Sequence, residues 1–117
     1  MGLGEKQRLF VKLIAKLIIF AYDEGYAFSF GDAYRAPAVF GEIGIDKGYG
    51  NPKSCHKSRL AVDFNLFELI NGAWVYQKDT KSYEKLGEYW ESLHELCSWG
   101  GRFNDGNHFS IQHNGMR

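Results

Sequence analysis

The chain has 117 residues, one domain's worth, and its aromatic-rich, 44% hydrophobic composition is that of a folded protein rather than a disordered one. Fourteen Lys and Arg balance fourteen Asp and Glu, so no net field favours a polyanion, and nucleic acid is not expected as the main partner. Two cysteines, Cys55 and Cys97, are too few for a disulfide framework.

The first element predicted is a helix from Glu5 to Glu24, ended by Gly25. Its stretch "RLFVKLIAKLIIFAY" has the look of a signal peptide, but Lys12 and Lys16, one turn apart, continue a polar stripe begun by Glu5 and Arg8. This is the pattern of a core helix with one wet edge, and its apolar run is too short for a membrane span. Ala27, Phe28 and Phe30 fit a short strand before a turn at Gly31-Asp32. Residues 41–55, with four glycines and Pro52, read as a surface loop. From Leu60 to Ile70, Leu60, Val62, Phe64 and Leu66 alternate with Ala61, Asp63, Asn65 and Phe67, a strand pattern. Asn71-Gly72 marks a tight hairpin into "AWVYQ". A second helix, capped by Asp79 or Thr80, is expected over 82–97, with Tyr83, Leu86, Trp90, Leu93 and Cys97 on one face, broken by Gly100-Gly101. "NHFSIQH" alternates as a last strand. The whole, residues 1–117, is expected to be a single α+β domain.

Two short stretches carry chemistry. "SCHKSRLAVDF" holds His56 and Asp63 with six residues between them, and "NDGNH" holds Asp105 and His108. Two imidazoles and a carboxylate can bind one zinc ion and leave a position open for a water made acidic by the metal. Asp105, in a tight turn, is then placed to act as general base, and Arg35 to offset negative charge on the substrate. Tyr49, in the glycine-rich loop, is a candidate substrate contact. Each residue alone has a plainer account. His56 suits an exposed loop, Asp63 an inward salt bridge to Arg35 or Arg59, Asp105 an ordinary turn, and His108 a core position. His94 reads as a half-exposed helix residue, His113 as a terminal one, and Cys55 as a bystander. Trp74, Trp90 and Trp99 could line a groove for sugar rings, although core packing accounts for most aromatics. Only the conjunction favours a metal site.

These residues also carry a family likeness. "SCHKSRLAVD" resembles the SxHxxGxAxD signature of the D-alanyl-D-alanine carboxypeptidase family of zinc peptidases, "DGNH" its DxxH segment and "YRAP" its GYRS arginine motif. Within that family the likeness is greatest to small phage L-alanyl-D-glutamate peptidases used as endolysins. The resemblance implies a small antiparallel sheet forming a zinc-binding cleft with helices packed on one side. It implies one zinc on His56, Asp63 and His108, Asp105 as catalytic acid/base, Arg35 as the electrophilic residue and Ser54 in substrate binding. The implied substrate is the peptidoglycan stem peptide, cut between L-Ala and D-Glu, with D,D-carboxypeptidase action as the near alternative. A non-catalytic wall-binding module and a structural zinc domain, with Cys55 or His113 as fourth ligand, are the rival classes. The expected protein is a monomer, not inserted in a membrane, made in the cytoplasm without a signal peptide and acting on the wall after release. Two positions depart from the pattern: Arg59 stands at the signature's glycine, and "AYRAP" replaces "GYRS".

Overall fold

The computed structural model describes residues 1–31 and 58–115. Helix α1, Leu3–Asp23, buries Phe10, Leu13, Leu17 and Ala21, a three-and-four spacing that turns one stripe inward and leaves Lys12 and Lys16 exposed. Gly25, at φ 88°, follows it and turns the chain into β1, Tyr26–Phe30. The long strand β2, Ala61–Ile70, alternates buried and half-buried residues as the sequence pattern predicts, with Val62, Phe64 and Leu66 inward. At the hairpin, Asn71 and Gly72 both have positive φ (50° and 81°), the backbone that returns a chain into an adjacent strand with the native twist. Strand β3, Ala73–Gln77, completes it.

The expected helix over 82–97 is shorter than the pattern suggests. Thr80–Tyr83 form a 3₁₀ turn, α2 runs Glu84–Leu93, and Cys97 belongs to strand β4, Cys97–Trp99. The cause is local: His94 leaves the helix in an extended conformation, and its Nδ1 accepts the Leu96 N–H at 3.1 Å. Residues 97–99 are then captured by pairing with β5, His108–Ile111. Gly100-Gly101 consequently ends no helix and instead opens a 3₁₀ turn, Gly100–Phe103.

All strand pairings are antiparallel. One edge of β2 is occupied by β1. The opposite edge is shared, β5 pairing with residues 61–63 and β3 with residues 66–70. The gap between β5 and β3 is closed by one side chain. The buried Tyr83 hydroxyl accepts the Leu66 N–H at 3.0 Å and donates to the Phe64 carbonyl at 3.1 Å, taking the place of a missing strand residue. Trp90, fully buried, packs edge-on against Phe10 and Phe109, and its indole N–H reaches the carbonyls of Ser98 and Ser110. Both helices thereby share one core with the sheet, so the fold is α+β with a small, open antiparallel sheet. Among the described residues no helix is long and apolar enough to cross a membrane.

Candidate active site

Register brings two of the predicted ligands together. Asp63 on β2 pairs directly with His108 on β5, so both side chains stand on the same face, and His108 Nδ1 lies 3.2 Å from Asp63 Oδ1. Their side chains are only 14% and 12% exposed, and a carboxylate buried that far requires a partner. His108 supplies one such partner; Arg35, one of the arginines considered as the alternative, lies outside the described residues. As a hydrogen bond the contact needs the proton on Nδ1. The spacing equally suits two donors to one ion, because zinc bonds of about 2.1 Å meeting at a tetrahedral angle set donors about 3.4 Å apart. The donor types and their separation therefore fit zinc. Among the described residues no group of three His, Cys, Asp or Glu forms around them. The third expected ligand, His56, lies outside the described residues, as do Arg35, Tyr49 and Ser54.

Asp105 sits in the turn that delivers His108. Its N–H donates to the Gly100 carbonyl at 2.9 Å, and its carbonyl accepts the His108 N–H at 3.2 Å. The side chain is exposed. The turn is held from three sides. Trp99 donates its indole N–H to the Gly106 carbonyl at 2.7 Å, and Thr80 Oγ1 accepts the Gly106 N–H at 3.2 Å. The Arg102 guanidinium pairs with Glu91 on α2, and Glu91 Oε2 also accepts the Trp99 N–H. Gly100 is required by crowding, since a Cβ there would lie 2.3 Å from the Asp105 carbonyl oxygen and 2.7 Å from His108 Cβ. Gly87 is bare for a similar reason: the Trp99 indole lies against it.

These supporting residues escaped the sequence reading. Tyr83 shows there only as one more apolar helix position, and Gly100-Gly101 only as a helix breaker. The usable signal was the cluster of glycines, "GGRFNDG", two residues before a histidine. Tyr83 also records the electrostatics of this corner. Burial pushes its phenol up to about 12, with the Asp63 and Asp105 charges adding to the rise against the lowering by its backbone hydrogen bond.

Arg59 explains its own oddity. It adopts φ 60°, the left-handed region that glycine favours, at the position where the signature has glycine. The turn before β2 thus keeps the conformation the pattern calls for while carrying an arginine.

The remaining histidines are accounted for elsewhere. His94 terminates α2, and His113, half-buried, contacts Lys6 Nζ on α1 through Nδ1 at 3.1 Å. Trp90 and Trp99 are buried, whereas Trp74 is 54% exposed. Cys97 is buried, and burial pushes its thiol up to about 12, which suits an inert packing residue.

The D-alanyl-D-alanine carboxypeptidase family model matches residues 47–111, more than half of the chain. The chain belongs to that family of peptidases. The matched stretch contains His56, Asp63, Asp105 and His108, while Arg35 precedes it. No curated protein matches the chain. Peptide-bond hydrolysis is the chemistry that family membership implies, and peptidases of the family are generally zinc-dependent.

Proposed function

We propose that this protein is a zinc peptidase that hydrolyses the L-Ala–D-Glu bond of peptidoglycan stem peptides, in the manner of a phage endolysin. The observation that carries the reading is the cross-strand Asp63 and His108 pair, with Asp105 three residues before His108 in a turn held by Trp99 and Thr80. His56, Asp63 and His108 would hold one zinc ion. When bound, the ion supplies a Lewis acid and lowers the pKa of water at neutral pH.

The chain's own residues do the rest. Asp105 takes a proton from the attacking water and returns it to the leaving amine, the two halves of general acid–base catalysis. Arg35 offsets negative charge on the carbonyl oxygen, and Ser54 and Tyr49 position the peptide. The narrow 3.2 Å approach of Asp63 and His108 fixes the imidazole by a directly paired strand, so its orientation costs little when substrate arrives. In this reading the enzyme works as a monomer and reaches the wall after release from the cytoplasm.

The test is release of new amino termini from purified peptidoglycan, with bound zinc counted in parallel. Wild type is expected to cut and to carry one zinc. Asp105→Ala should keep the metal and stop cutting, and Asp63→Asn and His108→Ala should lose the metal. New termini on D-Ala would assign D,D-carboxypeptidase action instead, and zinc held without cleavage would make this a binding module.

A further inference from the structure

The strand that carries Asp63 continues into an exposed aromatic surface. Asp63, Asn65, Phe67 and Leu69 alternate onto one face of β2. Register sets Tyr76 opposite Phe67 and Trp74 opposite Leu69 on β3, with the Phe67 and Tyr76 rings 5.7 Å apart. On the other side of β2, Ala27 stands opposite Phe67 and is too small to cover it. Leu69, Trp74 and Tyr76 are all at least half exposed. Glu68 and Val75 belong to the opposite face, so the tyrosine phenol is the only ionisable group within this four-residue shelf. Contiguous exposed apolar surface of this kind marks a place where something docks.

The geometry points to the shelf Phe67, Leu69, Trp74 and Tyr76 as a binding surface for the glycan strand of the substrate, continuous with the site on the same sheet face. The inference rests on the peptidase reading above for the identity of the polymer. A pyranose ring presents a flat C–H face and a hydroxyl rim without charge, which matches uncharged aromatic rings beside Asn65, the polar residue next to Phe67 on the same face of β2. Spacing agrees. Phe67 lies four residues along β2 from Asp63, about 13 Å. In a stem peptide cut between L-Ala and D-Glu, only the alanine and the lactyl linker separate the scissile bond from the sugar, roughly 7 Å when extended. One sugar beyond that point reaches the Phe67 and Tyr76 pair.

The probe is chitotetraose, a β-1,4-linked N-acetylglucosamine tetramer with no peptide, titrated into the full chain and followed by amide and indole N–H shifts. The Trp74 indole and residues 66–77 are expected to shift. Trp74→Thr and Tyr76→Thr, which preserve strand propensity, should each weaken binding about tenfold, with folding checked by thermal melting. Ile19→Ser, on the exposed side of α1, should bind as wild type does. Shifts that are absent or lie elsewhere overturn the inference. So does a doubling of mass in sedimentation that Trp74→Thr abolishes, which would make the shelf a contact between two copies. Binding is read without hydrolysis, so a wall that is not cut refutes the peptidase reading separately from the shelf.

Discussion

Replacing Tyr83 by Phe removes one oxygen and leaves the ring in place. In the folded protein that oxygen satisfies the Leu66 N–H and the Phe64 carbonyl at a point where neither β5 nor β3 does. Leaving a buried backbone group unpaired costs about 1–3 kcal/mol, and relief of the phenol's own desolvation offsets part of the sum. The net loss is therefore about 2–3 kcal/mol. A chain of this length unfolds with an entropy near 0.25 kcal/mol per kelvin, so Tm should fall by about 10 °C. The same hydroxyl makes a second, independent prediction. Its pKa is raised from 10.0 to about 12 by burial, so between those values the unfolded state releases a proton that the folded state retains. Stability is fully present below pH 10 and declines as pH rises toward 12, by about 2–3 kcal/mol at the top of the window. Tyr83→Phe lacks this decline, so the gap between wild type and variant should close as pH rises. Cys97, raised from 9.0 to about 12 by burial, contributes the same downward slope to both proteins and cancels in the comparison. Urea unfolding at about pH 7 and about pH 11 measures both effects. A loss below about 0.5 kcal/mol at neutral pH, or a gap unchanged at alkaline pH, would refute the role assigned to the hydroxyl.

Arg59→Gly should leave stability unchanged or raise it by up to about 1 kcal/mol, because relief of the left-handed backbone outweighs the added freedom of the unfolded chain; Arg59→Val should lower it by at least about 1 kcal/mol. Urea midpoints for the pair decide this, and equal midpoints would mean the φ of 60° carries no strain. Gly100→Ala should cost about 2 kcal/mol or more, since its Cβ meets backbone and Cβ atoms that cannot rotate away. Because those atoms belong to Asp105 and His108, zinc content should fall with it, measured on protein melted and metal-counted in the same preparation.

The sequence alone determined the α1 stripe, the alternation in β2, the Asn71-Gly72 hairpin and the candidate residues themselves. Each is a local signal, legible because side-chain period and turn chemistry act over a few neighbouring positions. What needed the tertiary structure was long-range pairing. Cys97 reads as a helix residue until β5 claims residues 97–99 for the sheet, an energy that no local pattern contains. Likewise Asp63 and His108 are 45 positions apart, and only the register of β2 against β5 makes them neighbours. Tyr83 and Trp99 look like core residues in the sequence. Their polar atoms matter because a strand gap and a glycine turn happen to lie within hydrogen-bond reach, a fact set by packing rather than by composition.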